Sequence, residues 1–325
     1  MPDLNFLKLN KPLKIFLLHI LKIFFYIMYY IFKIIKLKFI PIDSSRIGSF
    51  YYLDWYYTLK KNNLIKNNIK YFFFFYDSKN TANLQWNKMW QQSCYDGFLS
   101  NFFLRYFQFC KNFDYNNDIS INILPVRFKT FDQLINYGYV NQNLFYKDNL
   151  ESITNNTKPN IFFTKKEELI GLKVIKNLNL KKKEYVCFNS RDSNYLSVTK
   201  PNINFEYHNY RDTEIKTFIN SINYLSEHNI KTIRMGKYVK EKLSISNKNF
   251  IEYSDSRYQT DFNDIYLLSN CKFLISSDCG ITIVPEVFRV PIIYTNWTLL
   301  WRIPKWARNS IIIFKKLYSN NLKRF

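Results

Sequence analysis

Arginines, acids, serines and glycines gather at the ends of apolar runs in the second half of this chain. "EYVCFNSRD" (184–192) closes on Asn189, Ser190, Arg191 and Asp192, and "IKTIRMG" (230–236) on Arg234, Met235 and Gly236. "NFIEYSD" (249–255) leads into Ser254, Asp255, Ser256 and Arg257, and "CKFLISSD" (271–278) into Ser277, Asp278, Cys279 and Gly280. A guanidinium offers a planar fork of donors that matches phosphate oxygens. Glycine lets backbone N–H groups approach an anion closely, and only six glycines occur in 325 residues. Beyond Gly280, Pro285 and Glu286 open a short helix whose dipole is expected to face the same anion. Together these residues suit a small molecule carrying a diphosphate. Each also has a plain structural reading: Asp278 as a loop cap, Arg191 as a surface partner of Asp192 or Asp212.

The elements that must position them are strands and helices in alternation. Thr164 followed by Glu167 predicts a capping box opening a helix to about Leu178. Ile215, Phe218, Ile219, Ile222 and Leu225 have helical spacing, as does "DFNDIYLLSN" (261–270). With "VPIIYTNW" (290–297) as a fifth strand, the pattern predicts a doubly wound parallel sheet, with ligands bound beyond the carboxyl ends of its strands. The first half reads more weakly. "SSRIGSFYYLDWYYTLKKNN" (44–63) is a glycine turn feeding a helix, and "KYFFFFYDSKN" (70–80) is a strand ending at Asp77. "ANLQWNKMWQQ" and "FLSNFFLRYFQFC" have helical spacing, "INILPV" (121–126) is strand-like, and the Asn-rich stretch 149–160 reads as a linker.

Composition bounds the reading. Forty-seven Lys and Arg against 25 Asp and Glu give a formal charge of +22, which attracts polyanions. A coding bias toward Lys, Asn, Ile, Phe and Tyr accounts for about half of that excess. Residues 11–39 are the most apolar stretch. Their longest charge-free run, Ile23 to Phe32, is ten residues, against the ~20 that cross a bilayer. Lys22, Lys33 and Lys36 share one helical face beside His19, so a helix lying in an anionic membrane interface is expected, with a helix packed on the protein's own core as the alternative. The cysteines at 94, 110, 187, 271 and 279 show neither C-x-x-C nor a His-paired spacing. That disfavours a disulfide framework and structural zinc, puts Cys187 and Cys271 in the core, and suits a reducing cytosol. The P-loop, G-x-G-x-x-G, G-x-S-x-G and D-x-D patterns are absent, and three histidines make a His-based metal site improbable.

"VCFNSRDSNYL" (186–196), "YHNYRDTEI" (207–215), "IRMGKYV" (233–239), "SDSRYQTDFNDIYLLSNCKFLISSDCGITIVPEVF" (254–288) and "PIIYTNW" (291–297) resemble, in order and spacing, a bacterial family of glycosyltransferases of GT-B type. More distantly, the strand ending in Arg191 and the stretch from Asp264 to Glu286 are similar to fucosyltransferases that use a GDP sugar and to heptosyltransferases. The resemblance implies an α/β chain with two Rossmann-like domains of parallel sheets, preceded by the amphipathic helix. With the pattern of the residues, it leads to an expected division into that helix (1–40), an acceptor-side domain (41–150), a linker (151–160), a nucleotide-sugar domain (161–300) and a tail (301–325). Arg191 matches the arginine that contacts the donor diphosphate, the segment from Ser276 to Ile281 lines the donor pocket, and "SSRIGSF", with Arg46 and Gly48, faces the acceptor. Relatives often have a histidine where this chain has Asn189 and Ser190, and the family pattern is expected to continue beyond "LYSNNLKRF".

The implied chemistry is metal-independent sugar transfer with inversion, needing no cofactor beyond the nucleotide-sugar co-substrate. Arg191, Arg234 and loop N–H groups would stabilise the departing diphosphate. Asp54, Asp77 or His208, unranked, would take the acceptor proton. A glycan or lipid-linked acceptor is expected, at the cytoplasmic face of the plasma membrane. A GT-B relative that binds a sugar nucleotide without turnover, and a GT-B transferase of another kind, stand as alternatives. A nucleic-acid-binding protein is remote, because the lysines are spread along the chain and not interleaved with aromatics on one face.

Overall fold

A computed structural model describes residues 10–63, 68, 70–76, 78–116, 156–254, 256–298, 309–316, 318–319 and 321–324. The chain forms two compact units, neither continuous in sequence. The first comprises residues 1–45, 63–81 and 90–142, the second 46–62, 82–89 and 143–325.

The first unit begins with helix α1 (Lys11–Ile34), entered through a proline in its first turn. Lys36, at a φ of 55°, turns the chain sharply, and strand β1 (Leu37–Asp43) follows at once. Residues 37–39 are therefore strand and not the end of the apolar helix. Hydrophobicity alone does not separate them, because "KFIPI" continues the apolar texture of α1. Helix α2 (Tyr51–Lys61) comes next in sequence but belongs to the second unit, as does α3 (Leu84–Trp90) up to residue 89, while β2 (Lys70–Tyr76) and α4 (Ser100–Asn116) belong to the first. Strands β1 and β2 pair in parallel from Leu37↔Lys70 to Asp43↔Tyr76. Phe25 and Tyr29 of α1 bury against Phe39, Phe74, Tyr106 and Phe107, with Phe25 meeting Tyr106 edge-on at 5.5 Å. The strand-like run 121–126 and the linker residues up to 155 lie outside the described residues.

By length and composition α1 is apolar enough to cross a membrane. The short charge-free run does not prevent this, since Lys22 is flanked on both sides by long apolar stretches and lysine can snorkel. Only 17% of its most apolar stretch is buried.

The second unit holds a six-stranded sheet, every neighbouring pair parallel, in the order β5-β4-β3-β6-β7-β8. Helix α5 (Lys165–Asn177) leads into β3 (Tyr185–Asn189), whose residues are all buried, as a strand covered on both faces requires. Helices α6 (Asn194–Thr199) and α7 (Ile219–Glu227) follow, then β4 (Lys231–Arg234) and β5 (Phe250–Glu252). Helix α8 (Asp261–Asn270) precedes β6 (Phe273–Ser277), α9 (Ile283–Val287), β7 (Ile292–Trp297) and β8 (Ile311–Phe314). The strand β8, within the expected tail, is the one element of this sheet that periodicity did not reveal. Strands β3, β4 and β5 step one way from the centre and β6, β7 and β8 the other, so the order reverses between β3 and β6. Cys187 and Cys271 are free thiols and fully buried.

Helices α5 and α8 meet at Gly171, where a Cβ would lie 2.1 Å from the Tyr266 ring. The predicted capping box is present, Thr164 and Glu167 bonding reciprocally. Glu167 also accepts from Gln85 Nε2 at 3.0 Å and Lys88 Nζ at 2.8 Å. Burial raises the Glu167 carboxyl, but the hydrogen bonds from Lys88, Thr164 and Gln85 outweigh it and hold the pKa at about 2. An unfolded glutamate titrates near ~4.3, so this contribution to stability is complete above that pH and lost as pH falls toward 2. Urea unfolding should therefore show Glu167→Gln destabilised by roughly 2–3 kcal/mol at pH 7, with the difference shrinking below about pH 4. A difference independent of pH would refute the assignment.

Candidate functional site

The reversal of strand order between β3 and β6 is where an open parallel sheet leaves a crevice at its carboxyl end. Both strands deliver polar residues there. Arg191, after β3, donates its backbone N–H to Ser277 Oγ at 2.7 Å, joining the two exits. Asn189 donates from Nδ2 to the Met235 carbonyl at 3.0 Å and accepts from Cys279 Sγ at 3.1 Å. The Arg191 side chain, 8% exposed, pairs with the half-buried Asp212, one of the two partners that its plain structural reading offered. Arg211 donates to Asp278 Oδ1 at 2.8 Å and to the Asp278 carbonyl at 2.8 Å.

Arg211 was not among the expected site residues. It lies in a 3-10 turn, Glu206–Arg211, away from any strand end, so reading the strand exits passes over it. The signal was a second Arg-Asp pair: "SRD" ends at Asp192 and "YRD" at Asp212. His208 lies in the same turn. Burial lowers its pKa first, followed by the charges of Arg211, Arg191 and Arg46, so the imidazole is neutral at pH 7. Burial, then Arg211, also lowers the Arg191 pKa. Three guanidiniums thus act on one histidine. His208 Nδ1, Arg211 Nε and Asp278 Oδ2 are buried without hydrogen-bond partners among the described residues. Buried polar atoms of that kind are costly, and a bound ligand that brings an acceptor oxygen to Arg211 Nε and hydroxyls to His208 Nδ1 and Asp278 Oδ2 would satisfy them. Arg46 lies over the Phe205 ring, its guanidinium carbon 5.7 Å from the centroid.

Gly280 serves a different purpose from the one its position suggested. A Cβ on Gly48 would lie 3.3 Å from the Gly280 Cα, and one on Gly280 would lie 3.4 Å from the Gly48 nitrogen. The two glycines let the 3-10 turns Ile47–Phe50 and Gly280–Thr282 press together. The close approach is between backbones of the chain, and it sets the Arg46 turn beside the β6 exit.

Several other expected donor residues are occupied structurally. Arg234, 1% exposed, pairs with Glu252 at 3.0 Å and with the Glu241 carbonyl, so its charge is spent under the sheet end. Asp192 caps Asn194 N–H at 2.9 Å and Lys240 N–H at 3.0 Å. Gly236, at a φ of 148°, occupies a conformation reserved for glycine and accepts from Gln259. Arg257 is exposed and stacks on its neighbour Tyr258. Glu286 accepts from the buried Tyr294 hydroxyl at 2.5 Å, and Pro285 sits inside a five-residue helix too short to present a useful dipole. Ile281 is half-buried in the 3-10 turn. Asp77 and Asp255 lie outside the described residues.

Asp54 stands apart from the cluster as a carboxylate already paired. It is buried and meets Arg289 Nη1 at 2.8 Å and Nη2 at 3.3 Å. Asn160 Nδ2 adds a bond to Asp54 Oδ1 at 2.7 Å, and Thr58 joins through Asn160 and Arg289. Both carboxylate oxygens are engaged, so Asp54 is built to hold Arg289 rather than to take a proton. Among the described residues, no three His, Cys, Asp or Glu side chains group as metal ligands would.

No protein-family model and no curated protein matches the chain. Among solved structures it is similar to E. coli heptosyltransferase WaaC with ADP, at 12% identity and a TM-score of 0.42, over 86% of this chain and 93% of that one. It is similar to E. coli ADP-heptose lps heptosyltransferase II at 10% identity and a TM-score of 0.44, over 85% and 90% of the two chains. A glycosyl transferase family 9 protein from Veillonella parvula matches at 10% identity and a TM-score of 0.38, over 86% of this chain and 73% of that one.

Proposed function

We propose that the chain is a glycosyltransferase that moves a sugar from a nucleotide-diphosphate donor to a surface-polysaccharide or lipid-linked acceptor. The observation that carries this is the Arg191–Arg211–His208 cluster at the switch between β3 and β6, with Arg46 acting on the same histidine. Charge on the departing diphosphate grows as the glycosidic bond breaks, and buried guanidiniums fixed beforehand by Asp212 and Asp278 stabilise it without reorganising. In this role Arg211 takes the place first given to Arg234. The transfer is metal-independent and inverting in this reading, and the two units each contribute a Rossmann-like half of a GT-B architecture. Of the base candidates, His208 has a neutral imidazole with an unpartnered nitrogen, which suits accepting a proton or hydrogen bond from a hydroxyl.

The membrane half of the proposal rests on α1. Its Phe25 and Tyr29 are buried on the first unit, while Phe16, Ile20, Ile23, Ile27 and Ile34 are exposed. A helix held along one side by its own domain supports a peripheral position in the interface, on the cytoplasmic face, with Lys22 and Lys33 reaching headgroups.

Thermal-shift titration with UDP, GDP, ADP and CMP and their sugars tests the donor site. One nucleoside diphosphate should stabilise the protein, and Arg211→Gln should weaken that binding about ten- to a hundredfold. No shift with any nucleotide, alongside tight salt-sensitive RNA binding, would sink the proposal. Because Asp54 is engaged by Arg289, a sugar-nucleotide binder without turnover is the second reading. Release of nucleoside diphosphate only when an acceptor lipid extract is added decides between them.

A further inference from the structure

Helix α5 carries a second surface unlike that of an ordinary soluble helix. Glu167, Gly171, Val174 and Ile175 face inward. The row Lys165, Leu169, Leu172 and Lys176, at helical spacing of four, three and four residues, is exposed along its whole length. Leu169 is 64% exposed, and Phe162, just before the helix, is 74% exposed. The neighbouring outward row adds Lys173 and no acid. Of the two glutamates of the helix, Glu167 is taken into the capping network, and Glu168, half-buried, is neutralised by Lys182 at 2.6 Å. Large aliphatic groups set between lysines along one row make an amphipathic strip of the kind a lipid interface takes, and a core face would not carry the lysines.

We infer that this face of α5, with Phe162, docks on an anionic lipid surface, independently of α1 and of the donor-site reading. Lysines at both ends of the leucine row can place their ammonium groups among headgroup phosphates while Leu169, Leu172 and Phe162 enter the acyl boundary. Thirteen residues make a contact about 20 Å long. The chemistry disfavours the other occupants. A nucleic acid would use the lysines and leave the leucines in water, and a second copy of the same face would set lysine against lysine. Each lysine near an anionic leaflet strengthens partition about fivefold.

The test uses the full chain with vesicles of phosphatidylcholine alone or mixed with phosphatidylserine, containing a photoactivatable acyl chain. Adducts are expected in residues 162–176 as well as in α1, the former only when phosphatidylserine is present. Leu169→Gln with Leu172→Gln should lower partition at least tenfold and remove the 162–176 adducts while melting temperature and the α1 adducts are retained. Lys165→Gln should lower partition about fivefold. Adducts confined to α1, or an unchanged partition of the paired variant, overturn the inference. So does a variant that loses RNA binding, or turns a dimer into a monomer, with no lipid adducts in residues 162–176.

Discussion

Asp54→Asn is expected to cost about 3–5 kcal/mol of stability in urea unfolding, more than any substitution in the strand-exit loops. The change keeps the size of the side chain and removes only its charge, leaving Arg289 buried and unpaired. Arg289 has no easy escape. Its guanidinium is held by Asp54, Thr58 and the carbonyls of Glu286 and Val287, and its backbone sits at a φ of 60°. Replacing both partners, as Asp54→Leu with Arg289→Met, should recover much of the loss, because an apolar pair carries no desolvation cost. A loss under about 1 kcal/mol together with abolished sugar transfer would return Asp54 to the role of base.

Gly171→Ala is expected to cost about 3 kcal/mol, although alanine is the better helix former. The new Cβ would fall 2.1 Å from the Tyr266 ring, and that ring cannot retreat. Phe163 meets it edge-on at 5.0 Å, Phe262 stacks on it at 5.6 Å, and Lys182 lies over it at 5.1 Å. Its hydroxyl is held by Glu168 at 3.0 Å. Paired with Tyr266→Leu, the alanine should cost far less than on its own, giving a coupling energy above about 1 kcal/mol in a double-mutant cycle. Simple additivity would mean that the helices separate freely here.

The parallel sheet was legible because each buried strand is a short apolar run bounded by turn residues, and because helical spacing separates one from the next. "VCFN" and "FLISS" needed no partner to be recognised. What each exit residue does was not legible, since that depends on which loop it meets. Arg191 and Arg234 look alike in sequence, each ending a strand. One pairs with Asp212 beside the β6 exit, the other with Glu252 of an adjacent strand. Arg211 and Gly48 act through residues far along the chain, and no local pattern announces such contacts. The start of β1 was hidden for a different reason, as its apolar residues extend a helix that the backbone ends at Ile34.

The interleaving of the two units also has a consequence during synthesis. Asp54 leaves the ribosome 235 residues before Arg289, which at 5–20 residues per second is a delay of roughly 10–50 s. Through that interval the helix bearing Asp54 has been made and its destination has not. The nascent chain therefore carries a tyrosine-rich segment, within residues 46–62, in waiting until the rest of the second unit has been made.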